Sequence, residues 1–134
     1  MKNSGSCLCN KVTFTTESPY SRFALCYCSR CRKVTGSAHA SNLFANANQI
    51  EWLSGADNVT RFEFPEAERF SRAFCKTCGS PVPCLSIDGT KIVIPAGSLD
   101  SDPDVNPDVK IYSADKARWY QNLESIPEFD GAPK

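Results

Sequence analysis

Apolar residues in this chain recur at every second position more often than at every third or fourth. Val12 to Thr16, Phe23 to Cys28, Ala38 to Phe44, Ile50 to Leu53 and Val59 to Phe64 all carry the alternation or β-branched richness of half-buried strands. Arg69 to Phe74, Val82 to Ile87, Lys91 to Ile94 and Val109 to Tyr112 continue the series. Ser54-Gly55, Asp88-Gly89 and Asn106-Pro107 punctuate it, and Asp88-Gly89 between two apolar runs predicts a tight hairpin. Helix is confined to one turn over Ser29 to Val34 and a short segment over Asp115 to Leu123, with Ser113 as its N-cap. The pattern predicts a mainly β fold, a sandwich or layered sheet of short strands. No repeat or linker divides the chain. Residues 1–134 are therefore read as one domain, with 125–134 as a Pro- and Gly-rich tail that packs loosely.

Composition alters this picture in one respect. A chain of 134 residues can bury a core without covalent staples. Its 15 basic and 15 acidic residues cancel, which argues against a general nucleic-acid binder. No apolar run approaches the ~20 residues of a membrane span. The anomaly is 8 cysteines. No apolar leader precedes Cys7, so the expectation is a cytoplasmic, reducing setting, where close cysteine spacings signal metal ligands. A disulfide framework is the competing reading. It is disfavoured because Cys-x-Cys pairs are awkward partners for each other.

The cysteines form three groups and a singleton. Cys7 and Cys9 make Cys-x-Cys, Cys26, Cys28 and Cys31 make Cys-x-Cys-x-x-Cys, and Cys75 and Cys78 make Cys-x-x-Cys. Residues i and i+2 of a strand share a face, so a Cys-x-Cys strand end presents two sulfurs to one ion. A Cys-x-x-Cys turn converges two more, with Gly79 placed to close it. Paired by position, Cys7, Cys9, Cys75 and Cys78 supply the four thiolates of a closed structural zinc site. Cys26, Cys28 and Cys31 supply three, leaving one position open as in a catalytic zinc site. Spacing alone leaves the opposite sharing open, as it does a single zinc ribbon with unrelated buried thiols. Cys84 alternates within an apolar run and is read as a buried thiol.

Polar residues gather near the triplet. Arg30, Arg32 and Lys33 would offset the negative charge of a three-thiolate zinc and attract carboxylates. Thr35-Gly36-Ser37 follows as a polar turn able to donate hydrogen bonds to a substrate. His39, the only histidine, is read first as a strand-edge residue and second as a ligand or an acid–base. Asp100 to Asp108 lacks the glycine and distal glutamate of a calcium loop and is read as solvated.

The string Cys26-x-Cys28-x-x-Cys31-Arg32-Lys33-x-Thr35-Gly36-Ser37 resembles the signature of the glutathione-dependent formaldehyde-activating enzyme family. Gly5-Ser6-Cys7-x-Cys9, Phe74-Cys75-x-x-Cys78-Gly79-Ser80-Pro81, Ala96-Gly97-Ser98-Leu99-Asp100 and Lys116-Ala117-x-Trp119-Tyr120 resemble its other motifs. The resemblance implies an antiparallel β-tent around a structural zinc, with only short helical segments. It implies the same four-and-three division of ligands, two zincs per chain, and carbon–sulfur lyase chemistry that joins formaldehyde and glutathione reversibly. Three positions depart from the family pattern. Asn10 stands where glycine is usual, Cys84 is additional, and Lys110 occupies the place of an expected histidine.

The expected function is a zinc-dependent lyase acting on a thiol–aldehyde adduct. Cys26, Cys28 and Cys31 would hold a second, more labile zinc that activates the thiol. Arg32 and Lys33 would hold the carboxylates of glutathione or another anionic thiol, and Thr35 or Ser37 would serve the oxyanion. The partner is a small molecule, with neither nucleic acid nor membrane. The alternatives are a zinc-stabilised binding module, with Trp52, Trp119 and Tyr120 as its aromatic surface, and a thiol redox sensor that releases its metal.

Overall fold

The computed structural model describes residues 1–133. Its eleven strands are β1 (Lys2–Ser6), β2 (Thr13–Glu17), β3 (Arg22–Cys26), β4 (Ala40–Asn46), β5 (Ile50–Ser54), β6 (Val59–Glu63), β7 (Ser71–Cys75), β8 (Pro81–Val82), β9 (Cys84–Leu85), β10 (Lys91–Pro95) and β11 (Val109–Ile111). One α-helix, α1 (Ser29–Thr35), joins them. The strands form three sheets in the orders β1-β2-β5, β11-β3-β4-β10-β9 and β6-β7-β8. Every pairing is antiparallel except that of β11 with β3. The mainly β, antiparallel architecture is the expected one. Among the described residues, no helix is long and apolar enough to cross a membrane.

Alternation along the central sheet divides its side chains between two layers. Leu43 and Ala45 of β4, Phe23 of β3, and Ile92 and Ile94 of β10 face the first sheet and close around Phe14. Phe14 and Trp52 meet edge to face at 5.8 Å, and Trp52 also packs against the core beneath the third sheet. That second core holds Val12, Ala73, Val82 and the buried cysteines 7, 75 and 84. The opposite parity of β4 and β10, namely Ala40, Asn42, Phe44, Val93 and Pro95, faces the third sheet across a cavity.

Several local expectations were altered by the chain. β1 was not foreseen, because its two buried positions are Asn3 and Gly5 rather than apolar residues. Asn3 is held there by a 2.7 Å hydrogen bond from its Nδ2 to the Tyr20 hydroxyl. The run Val82 to Ile87 is cut into β8 and β9 at Pro83, which has no N–H to give a ladder. The helix expected over Asp115 to Leu123 does not form. Ser113–Asp115 is a single 3₁₀ turn entered from a left-handed Tyr112, and a left-handed Asn122 begins another at Leu123–Ser125. Between them Ala117 is buried and the Tyr120 ring packs 5.3 Å from Tyr27, so packing rather than propensity sets the path. The Asp88-Gly89 hairpin is present, with Gly89 at φ 75° and Asp88 accepting from Thr90 N at 3.0 Å.

Candidate functional site

Two short turns bring the first cysteine cluster together. Cys7 and Cys9 lie just beyond β1, where Asn10 N donates to Cys7 O at 3.1 Å and Val12 N to Cys7 Sγ at 3.3 Å. Closing this turn needs a left-handed residue, and Asn10 takes that conformation at φ 69°. Cys75 ends β7, and Gly79, at φ 76°, donates its N–H to Cys75 O at 2.8 Å. The two turns face each other, so the four sulfurs lie within 4.8 Å of one another. Cys7 and Cys9 are 3.6 Å apart, and Cys9 and Cys75 are 3.8 Å apart. Four sulfurs tetrahedral about zinc stand about 3.8 Å from each other, and these two separations match that spacing. Asn58 Nδ2, 3.3 Å from Cys75 Sγ, and Ser80 Oγ, 3.3 Å from Cys78 Sγ, orient the ligands from outside.

The protonation of these thiols suits a cation. The Ser80 hydroxyl, then backbone N–H groups, hold the Cys78 thiol down at about 5. The backbone N–H groups of Cys78 and Thr77 lower Cys75. At Cys9 the Lys11 N–H pulls downward, but burial and the neighbouring thiols outweigh it and push the group up to about 11. A cation would displace that remaining proton.

The second cluster is built by a strand end and a helix start. Cys26 closes β3, Cys28 is the N-cap of α1, and Cys31 sits in the helix's first turn. Cys28 Sγ accepts from Cys31 N at 3.4 Å, which anchors the cap. Gly36 ends the helix in a left-handed conformation, and its N–H reaches Arg32 O at 2.8 Å. The three sulfurs lie within 4.8 Å of one another. Burial pushes the Cys26 and Cys31 thiols up. Burial would also raise Cys28, but the Cys31 N–H and the adjacent thiols outweigh it and hold it below its ordinary range. Three convergent sulfurs, with no fourth His, Cys, Asp or Glu ligand beside them among the described residues, make this a partial coordination sphere.

A cavity of about 740 Å³ lies between the central and third sheets, and Cys26 and Cys31 form part of its wall. Of the sequence-predicted substrate residues, Thr35 also lines it, whereas Arg32, Lys33 and Ser37 do not. Thr35 Oγ1 donates to Cys31 O at 2.7 Å and accepts from Ser37 N at 3.1 Å, so its proton is already committed to the helix end. Arg32 is half-buried with its Nε unpartnered, and Lys33 and Ser37 are exposed. Arg30 lies over Phe64 at 5.0 Å and Phe70 at 5.9 Å. His39 is not among the cavity-lining residues; its Nδ1 lies 3.2 Å from Oγ of Ser41, which is, and its ring 5.2 Å from Tyr27. Tyr27 is fully buried, and burial, then the Tyr120 hydroxyl, push its own hydroxyl up to about 12.

Cys84 is buried, as expected, but it also lines the cavity and is not isolated. Arg61 Nη1 reaches its sulfur at 3.3 Å and Ser71 Oγ at 3.4 Å. Asn42 was not singled out from the sequence. It stands on the cavity face of β4 between Ala40 and Phe44, half-buried, with no side-chain hydrogen bond among the described residues. Its signal was a polar residue interrupting the apolar parity of Ala38, Ala40 and Phe44.

Comparison with known proteins agrees with this arrangement. The profile of the family described as "Glutathione-dependent formaldehyde-activating enzyme" matches residues 2–115. A Halomonas elongata protein named "Putative glutathione-dependent formaldehyde-activating enzyme" is 31% identical over 125 residues, covering 87% of this chain and 78% of its own. The crystal structure of a Rhodobacter sphaeroides protein, a structural genomics target, superposes with a TM-score of 0.61 at 24% identity. That match covers 80% of this chain and 97% of the other, and it shows the shared fold. Two cysteine clusters able to hold metal ions, in a mainly β frame whose sequence matches from the first strand past the last, identify the lineage: the chain belongs to the glutathione-dependent formaldehyde-activating enzyme family.

Proposed function

We propose that this protein is a zinc-dependent carbon–sulfur lyase-type enzyme that joins and parts a thiol and an aldehyde, as in S-(hydroxymethyl)glutathione formation. The supporting observation is the contrast between the clusters. One has four convergent sulfurs, and the other has three, two of which, Cys26 and Cys31, line a cavity. Cys7, Cys9, Cys75 and Cys78 would hold a structural zinc, and Cys26, Cys28 and Cys31 a second one. Zinc with three thiolates and an open position supplies a depressed pKa to an incoming thiol.

The chain's own groups then set the geometry. Cys26 and Cys31 direct the reacting sulfur toward the cavity. Arg32 and Lys33, outside it on α1, offer positive charge to the carboxylates of an anionic thiol such as glutathione. Asn42 Nδ2 donates to the carbonyl oxygen as negative charge develops there. The sulfur attacks the carbonyl carbon, the C–S bond forms, and the C=O π pair passes to oxygen. That oxygen takes up the proton the thiol gave, so the adduct carries the atoms of both reactants and nothing else. Collapse retraces these steps.

Exchange NMR of glutathione with formaldehyde tests the reading. Zinc-loaded wild type should accelerate adduct exchange, and Cys28→Ser should not. Equal rates for the two proteins would sink it.

A further inference from the structure

The cavity differs in character from the substrate that the family name suggests. Glutathione is a polyanionic tripeptide, and formaldehyde is the smallest aldehyde. The walls are formed mainly by Ala40, Phe44, Phe70, Val82, Val93 and Ile111. This follows from alternation, because β4 and β10 each present one parity to the main core and the other here. The volume, about 740 Å³, is that of a site for a small organic molecule rather than for two heavy atoms.

The cavity carries no excess of positive charge. Arg61 is held by Glu63 at 2.8 Å, Leu85 O at 2.7 Å and Cys84 Sγ at 3.3 Å. Arg72 lines the cavity and also stacks on β7, with its guanidinium 4.9 Å from the Phe74 ring centre. Arg69 lines it too, exposed to solvent, and its charge acts on Asp88. Glu68 and Asp88 line the wall together with Arg69 and Arg72, so its charges cancel and leave no net positive charge for several buried carboxylates. Apolar side chains continue to the mouth, where Leu85 is 42% and Ile87 49% exposed.

We infer that the cavity binds the hydrocarbon body of an apolar aldehyde, with its carbonyl end toward Cys26, Cys31 and Asn42. This rests on the thiol–aldehyde reading above and supplies the substrate class on its aldehyde side. The two reactants then reach the cysteine triplet from different directions. The anionic thiol comes along the exposed surface of α1, and the apolar aldehyde comes through the space between the sheets.

The test is displacement of the fluorescent probe N-phenyl-1-naphthylamine from the zinc-loaded full chain by straight-chain aldehydes. The corresponding alcohols serve as unreactive controls. Each methylene from propanal to hexanal should tighten binding about fourfold. Val93→Asp should weaken hexanal binding more than about tenfold. If that variant does not fold, Val93→Thr, which keeps the shape and adds a hydroxyl, should weaken it several-fold. A flat dependence on chain length overturns the inference, as does displacement of the probe by glutathione in preference to hexanal. Glutathione–formaldehyde exchange is measured on the same samples and separates the two failures. Exchange with a flat chain-length series leaves the lyase reading standing and removes this one. A steep series without exchange leaves the apolar site standing and removes the lyase.

Discussion

Gly5 is where the packing makes its most quantitative demand. It pairs across the first sheet with Phe14, and a Cβ built on Gly5 would run into the Phe14 ring. Phe14 cannot move aside freely. It is fully buried, and it meets Trp52 edge to face at 5.8 Å. Gly5→Ala therefore combines two opposed effects. The unfolded chain loses entropy, which favours the variant by about 0.4–1 kcal/mol. Overpacking against a closed core costs about 1–3 kcal/mol. The net expectation is a loss of about 1–2 kcal/mol, or about 3–8 °C in Tm for a domain of this size. Thermal unfolding of the zinc-loaded protein reads this, with metal content as the control that Cys7, two residues on, keeps its ligand position. The stronger form is a double-mutant cycle. Phe14→Leu removes the far end of the ring, so the Gly5→Ala/Phe14→Leu protein should be more stable than additivity predicts by about 1 kcal/mol. A neutral or stabilising Gly5→Ala, or strict additivity, would refute the close-packing argument.

Three further outcomes are expected. Cys28→Ser should lower bound zinc from about two to about one per chain by elemental analysis while the β-sheet circular dichroism persists. Cys75→Ser should instead destabilise the whole chain. The clip spans 66 residues between Cys9 and Cys75, and closing such a loop removes about 4 kcal/mol of unfolded-state entropy, visible as a large fall in the urea midpoint. Asp88 provides a pH signature. The Ser86 hydroxyl and the Thr90 N–H and hydroxyl hold its carboxyl at about 2, below the ordinary 3.8, so folding favours its ionised form. Its contribution is complete above pH 3.8 and is lost as the pH falls through about 2, and Asp88→Ala should flatten the stability profile across that window alone.

The strands that read clearly in the sequence are those whose buried parity is apolar, such as Phe14 in β2 and Ile92 and Ile94 in β10. β1 escaped because its core positions are an amide held by a tyrosine hydroxyl and a glycine beneath a ring. Both are tertiary arrangements that local pattern does not encode. The cysteine clusters were legible because i, i+2 and i, i+3 spacings at strand ends and turns admit few geometries. Arg32 and Lys33 show the limit of that logic. Adjacency in sequence suggested adjacency in space, but successive helical residues diverge by about 100°, so Cys31 joins the cavity wall while Arg32 and Lys33 do not. Asn42 and the cavity depend on the separation of two sheets, which no single segment specifies.

The parallel pairing of β11 with β3 sets a timetable for the emerging polypeptide. Lys110 lies opposite Leu25 and Ile111 opposite Cys26, and Tyr27, between Cys26 and Cys28, donates its N–H to Ile111 O at 3.0 Å. The four-sulfur cluster can assemble once Cys78 has left the ribosome. The backbone that carries the triplet is not gripped on this edge until residues 109–111 follow. The four-sulfur cluster is thus complete before the frame around the three-sulfur cluster is, so assembly of the two cysteine groups is ordered along the chain.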